Sequence, residues 1–307
     1  MKWDSSPACD DASPGETACG GPTLERFLDR EFDGEPGLAA EYPLLVGAGN
    51  AERRWVARIG GEIAAHVAWR PLRLRSYGRS LRAAGIGLVT TGRRWRGRGL
   101  AGQGVEHCLA AARAEGAEIA LLFGEPRSLY RRAGFVPAGR ERVVPLPAHQ
   151  SPRPSKLRAR LGTPSDAARL LPLLAAHPLG VERSCEEFQA LLSIPRTELW
   201  LLQGPDSLRA YAVCGKGRDL VGVAHEWGGD PEAVAELLGE LAGTRAQVAL
   251  APDPAGIPAL GPGHLGPLAQ IRILAPERLG TDDPLRLFGD AETPAEIPLY
   301  VWGLDSV

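Results

Sequence analysis

The sequence predicts an α/β fold, a mixed sheet flanked by helices and built twice along the chain, and three observations carry that prediction. Short apolar runs of strand type alternate with stripes of helical period. A stretch crowded with proline divides the chain near its middle. The segment "RRWVARIGGEIAAHVAW" is matched in the second half by "RTELWLLQGPDSLRAYAV", with Trp200 falling on Trp55 and Leu208 on Ile63, eight residues apart in both.

Each element has its own local reason. Residues 1–22 are rich in Ser, Pro, Gly, Asp and Glu without apolar period, and are expected to form a disordered leader. Order begins at Thr23, which can cap a helix whose apolar Leu24, Phe27, Leu28 and, less regularly, Phe32 share a face. Two strands then meet at Gly60-Gly61, a hairpin signal because both positions tolerate positive φ. A third strand, Ala84 to Thr91, leads through an Arg/Gly-rich loop into an amphipathic helix from Leu100 to Ala114 that stops at Gly116. "EIALLFG" reads as a buried strand, residues 126–133 as a short helix begun by Pro126, and "FVPAGRERVVPL" as a strand pair. The four prolines of "VPLPAHQSPRPSK" mark a stiff linker, which divides the chain into 23–147, a linker at 148–157, and 158–307. Beyond it Thr163 and Pro164 open a helix, "DLVGVAHEW" precedes a helix from Pro231 to Leu241, and "AQVALAP", "QIRILAPERL" and "IPLYVWGLD" read as strands.

Composition limits the function. A formal charge of −2 and a pI near 6.3 give no overall field for nucleic acid or an acidic membrane, so an anion site has to be local. No window of 18 uncharged apolar residues and no signal-type apolar core occurs, which predicts a cytoplasmic protein. Cys9, Cys19, Cys108, Cys185 and Cys214 form no C-x-x-C pair, so free thiols and no structural metal are expected.

The local anion site is "RWRGRGLA", Arg94 to Ala101, at the handover from strand to helix. A helix start leaves unpaired N–H groups and about half a positive charge, so strand, glycine-rich turn and helix together make a cradle for a pyrophosphate. The loop has neither the Gly-Lys-Ser/Thr of a Walker motif nor a dinucleotide fingerprint. It satisfies R-x-x-G-x-A through Arg96, Gly97, Arg98, Gly99, Leu100 and Ala101.

With that motif, "GLVTTGRRW" before it and "LLFGEPRSLYRRAGFVPAG" after it, the stretch from Gly85 to Gly139 resembles the GNAT superfamily of acyl-CoA-dependent N-acetyltransferases. The wording around Tyr130 is also similar to the first domain of the enhanced-intracellular-survival type of acetyltransferases. The resemblance implies a GNAT fold, which the matched halves would carry in two tandem copies, with a splayed sheet whose fourth strand pairs with the pantetheine arm through backbone groups at about Val89 and Thr91. It implies acetyl-CoA as co-substrate, no metal, and pyrophosphate held by the amides of Arg96 to Ala101, with Arg93, Arg94 or Arg98 nearby. Tyr130 occupies the position of the family's general acid. For the base, Glu125, His66 and Glu62 are candidates beside a water relay, and His66 alternatively reads as a buried core histidine.

The second half departs from this pattern. Asp230 before Pro231 is expected to cap the helix itself and so to set a carboxylate where the pyrophosphate would lie. That half reads as a degenerate copy which either walls the acceptor cleft with His225, Glu226 or Tyr211 or only supplies core. The function expected is direct transfer of an acetyl group to a primary amine, small molecule or peptide, with neither nucleic acid nor membrane as partner. The alternative is an acyl-CoA sensor without turnover.

Overall fold

Two mixed sheets of seven strands each are found among the described residues, which in this computed structural model are 22–32, 34–125, 128–146, 158–205, 207–253, 257 and 261–306. The leader expected at 1–22, apart from Pro22, and the linker at 148–157 lie outside them, as does Pro126.

Helices α1 (Pro22–Glu31), α2 (Leu38–Glu41) and α3 (Pro43–Val46) precede strands β1 (Arg54–Ile59), β2 (Glu62–Ser76) and β3 (Arg79–Thr91). Then follow α4 (Leu100–Ala114), β4 (Ile119–Leu122), α5 (Ser128–Arg132), β5 (Val136–Ala138) and β6 (Glu141–Pro145). The second half runs β7 (Arg158–Leu161), α6 (Ala167–Ala175), β8 (Leu179–Val181), α7 (Cys185–Leu192), β9 (Glu198–Gln203), β10 (Leu208–Cys214) and β11 (Val223–Gly229). It ends with α8 (Pro231–Leu241), β12 (Val248–Pro252), β13 (His264–Gly266), β14 (Ala269–Ile273), α9 (Pro276–Leu279) and α10 (Pro284–Phe288).

The first sheet has the order β1-β2-β3-β4-β14-β5, with β8 added beside the far end of β2, and the second has β13-β6-β12-β11-β10-β9-β7. The β1–β2 turn is the expected one, with φ of 59° at Gly60 and 79° at Gly61. In both sheets a hairpin leads to a third strand, a helix crosses to a parallel fourth strand, and a strand from the other half comes next. The first sheet borrows β14 and the second borrows β6.

That exchange corrects the expected strand pair in "FVPAGRERVVPL". Val136–Ala138 pairs with β14 in the first sheet, while Glu141–Pro145 pairs with β12 and β13 in the second. The chain turns between them at Gly139, and Arg140 and Arg142 both bind the Asp253 carboxylate at 2.7 Å. "IPLYVWGLD" also departs from its strand reading, since it joins no ladder and ends in a 3-10 turn at Gly303–Asp305. Aromatic packing replaces the ladder: Trp302 lies 5.3 Å from Trp227, 5.0 Å from Tyr300 and 5.1 Å from His177, ring centre to ring centre.

One hydrophobic core crosses from sheet to sheet, joining Leu74, Leu121 and Ile271 to Leu201, Tyr211 and Leu237. A second, with Trp55, Val67, Val105 and Leu122, lies between α4 and the first sheet. At Gly104 an added Cβ would stand 2.4 Å from Trp55 and 2.7 Å from Val67, so glycine lets α4 lie directly on the hairpin.

Two histidines in these cores set an acid limit on stability. His66 and His225 have no exposure, and burial pushes each ring down to about 4 from an ordinary 6.5. Between those values the unfolded chain binds more protons than the folded one. Their contribution is therefore full above about pH 6.5 and is lost as pH falls toward 4, on the order of 3 kcal/mol for each ring. Urea unfolding at pH 7.5 and 4.5 should show a clearly lower free energy at the acid value; equal values would mean that the rings are not held neutral.

Candidate active site

Strands β3 and β4 run parallel but pair only at Ala83, Ala84 and Gly85 with Ile119, Ala120 and Leu121. Beyond Gly85, β3 continues to Thr91 while β4 ends at Leu122, so the far half of β3 has no partner on that side and a gap is left beside it. A bulge shapes the β3 side of this gap. The β2–β3 register shifts between His66 and Ala68, and Leu88 there takes φ of 50°, a conformation unusual for a residue with a branched side chain.

Alternation settles which backbone groups face the gap. The Gly92 N–H donates to the Ala64 carbonyl on β2 at 2.8 Å, so Thr90, two residues back, also turns its groups toward β2. Those of Thr91 point the other way. The Thr91 carbonyl already accepts from Arg96 Nε at 3.2 Å.

After Thr91 a short 3-10 turn, Arg93–Trp95, leads into the loop that feeds α4. Glu31, at the end of α1, accepts from the Arg93 N–H at 3.1 Å and ties that helix to the loop. Gly97 and Gly99 both take φ of 79° with open space where a Cβ would stand, which suits glycine for its backbone freedom. No side chain caps α4, so the first-turn amides at Leu100 and Ala101 have no capping side chain. The guanidiniums of Arg94 and Arg98 each lie 4.8 Å from the Trp95 ring centre, and Arg94 also pairs with Glu62.

Thus the structure brings Val89, Thr91, Arg96, Gly97, Arg98, Gly99, Leu100 and Ala101 to one continuous run from strand edge to helix start. This arrangement can hold an extended chain along β3 and a diphosphate at α4. Tyr130 sits in α5, half-buried, with its ring edge-on to Phe135 at 6.3 Å. Glu125 is exposed, three residues past the end of β4. Glu62 is engaged by Arg94, and His66 is fully buried on the strand beside the bulge.

The corresponding place in the second half is closed. Asp230 accepts from the Glu232 and Ala233 amides at 3.1 and 3.0 Å and pairs with Arg209, so its carboxylate fills the anion position of α8. His225, Glu226 and Tyr211, expected as possible walls of the acceptor cleft, are corrected by their burial: none has any exposure, and Glu226 is locked to Arg183 and Tyr211. The second half meets the segment before β1 through other residues. Arg218 binds Glu41 at 2.7 Å, Tyr42 hydrogen-bonds Asp219, and Lys216 lies 5.4 Å from the Tyr42 ring centre. Sequence reasoning missed the Leu88 bulge and the Glu31 tie, neither of which has a local motif. Among the described residues no helix is long and apolar enough to cross a membrane, and no cluster could hold a metal ion.

Comparison with known proteins bears on the family and the fold. Residues 32–138 match the family model of the acetyltransferase (GNAT) domain. No curated protein matches the sequence. Among solved structures the chain is similar to a GCN5-related N-acetyltransferase from Kribbella flavida, with 20% identity over 82% of this chain and 68% of that one, at a TM-score of 0.61. It is also similar to one from Anabaena variabilis, at 18%, 82%, 69% and 0.61, and to Eis1 from Mycobacterium abscessus, at 18%, 82%, 70% and 0.56. At these identities the solved structures speak for the fold.

Proposed function

We propose that this chain, which carries an acetyltransferase (GNAT) domain over residues 32–138, moves an acetyl group from acetyl-CoA to a primary amine by direct transfer in a ternary complex. The observation that carries the proposal is the continuity of the gap beside β3 with the uncapped start of α4. The pantetheine arm would pair with Val89 and Thr91, the latter exchanging its contact with Arg96, and the diphosphate would take the amides from Arg96 to Ala101. Arg96 and Arg98 supply charge there, both exposed beside open glycines.

The amine nitrogen attacks the thioester carbon, the C–N bond forms, and the carbonyl electron pair moves onto oxygen. Collapse then breaks the C–S bond. In this reading Tyr130 gives the leaving thiolate its proton, and Glu125, exposed beyond the end of β4, takes the proton lost by the amine. His66 is set aside as base because its ring is fully buried and its Nδ1 is engaged by the Leu88 carbonyl, away from any acceptor amine.

The second half, 158–307, belongs to the same proposal as a degenerate tandem copy of 23–147 joined by the linker at 148–157. The shared strand order and the hairpin alignment support it, and the Asp230 cap is the reason it would not bind coenzyme A. A cytoplasmic location goes with this reading.

Calorimetric titration with acetyl-CoA tests the binding half. One site per chain is expected, weakened by roughly 100-fold or more in Arg96→Glu, which places a negative charge beside a diphosphate. Release of coenzyme A thiol with a panel of primary amines tests the chemical half. Tight binding without thiol release would leave a sensor, and absence of binding would end the proposal.

A further inference from the structure

We propose that His66 is a positioning residue for acyl transfer, which holds the Leu88–Val89 peptide so that the Val89 N–H points into the gap and meets the thioester carbonyl. The inference rests on the acyltransferase reading above and assigns His66 a task other than base.

His66 Nδ1 lies 3.0 Å from the Leu88 carbonyl oxygen. A carbonyl can only accept, so Nδ1 carries the proton and Nε2 does not. Nε2 is buried without a hydrogen-bond partner, which leaves the ring a single polar contact, the bulge itself. Burial pushes the ring down to about 4, so this tautomer persists through the neutral range.

Peptide planarity carries the contact across the strand. The Leu88 carbonyl and the Val89 N–H belong to one trans peptide and point in opposite directions. Fixing the oxygen toward His66 on β2 fixes the N–H on the opposite side of the peptide, away from that ring. Leu88 needs such a holder. Its φ of 50° is unfavourable for leucine, and a strand without the His66 contact would relax toward ordinary extended geometry and turn that peptide. As negative charge grows on the thioester oxygen, a preset N–H strengthens its hydrogen bond without reorganisation. The ring therefore acts on the reaction through the backbone, from the strand behind it.

Two variants separate this role from packing. In His66→Asn the amide nitrogen stands where Nδ1 does, two bonds from Cβ, and can still donate to Leu88; in His66→Leu a methyl takes that place. His66→Leu is expected to lower kcat by about 10- to 100-fold, the scale of a lost oxyanion donor, with the acetyl-CoA Kd within about 3-fold of the parent because the diphosphate loop is untouched. His66→Asn is expected to keep kcat within about 3-fold. Amide exchange reads the same peptide without turnover: acetyl-CoA should slow exchange at Val89 in the parent and in His66→Asn, but not in His66→Leu.

Unchanged kcat and Val89 protection in His66→Leu would overturn the proposal. So would a loss in His66→Asn as large as in His66→Leu, and the Asn variant alone decides if the Leu variant does not fold. A parent protein that binds no acetyl-CoA would instead remove the acyltransferase reading, and this proposal with it.

Discussion

Tyr130→Phe is expected to lower kcat by about 100-fold or more, the usual scale for removing a general acid, while leaving acetyl-CoA affinity and thermal stability nearly unchanged. The substitution is informative because it deletes one oxygen. The ring that meets Phe135 edge-on at 6.3 Å stays, as does the backbone contact from the Phe135 N–H to the Tyr130 carbonyl at 2.9 Å. A side chain that served only the core would tolerate the change, since Phe fills the same volume. A proton donor would not, because the thiolate would then leave unprotonated or wait for water. Steady-state rates with a responsive amine, beside calorimetric Kd and a melting curve, make the comparison. An unchanged kcat would return Tyr130 to plain packing, and loss of affinity together with rate would mean that α5 had been displaced.

The parts of this site that were legible in the sequence are those governed by local rules. Gly60-Gly61 needs positive φ at both positions, Asp230-Pro231 combines a cap with a first-turn proline, and Arg96 to Ala101 stands between a strand and a helix. In each, the conformation depends on a few neighbouring residues. The splay of β3 from β4 was reached only through the GNAT resemblance, because "GLVTTG" and "EIALLFG" read equally well as paired strands.

What was not legible depends on which distant element completes an environment. Glu141–Pro145 has the same apolar alternation whether it joins the first sheet or the second, and the contacts that decide it, Arg140 and Arg142 with Asp253, span more than a hundred residues. Leu88 gives no hint of positive φ, since its conformation is imposed by the bulge and by His66. His225, Glu226 and Tyr211 looked like the walls of a cleft because polar groups are usually exposed. Arg183, remote in sequence, converts Glu226 and Tyr211 into core, while His225 bonds the Gly215 carbonyl at 2.9 Å.

That core cluster carries the largest expected effect on stability. Arg183 donates to Glu226 at 2.9 and 2.6 Å and to Asp305 at 3.0 Å, Arg70 donates to Asp305 at 2.8 Å, and Tyr211 donates to Glu226 at 3.1 Å. Two guanidiniums and two carboxylates balance, and they join β2, the segment before α7, β11 and the C-terminal turn. Burial pushes the Glu226 carboxyl up even beside Arg183; against the same burial, Arg183 and Arg70 hold Asp305 below the usual carboxylate range. Arg183→Met removes one cation, leaving Glu226 buried without its cation and Asp305 with Arg70 alone, so a loss of about 3–5 kcal/mol is expected. The double variant Arg183→Met/Glu226→Gln restores the balance of charge, and should lose less than the single one despite removing more. The single variant should also recover part of its loss as pH falls, because Glu226 can then take up a proton. Urea unfolding of the parent, the single and the double variants at pH 8 and pH 6 reads all three statements. A double variant less stable than Arg183→Met would mean that the hydrogen bonds of Glu226, and not its unpaired charge, dominate the cluster.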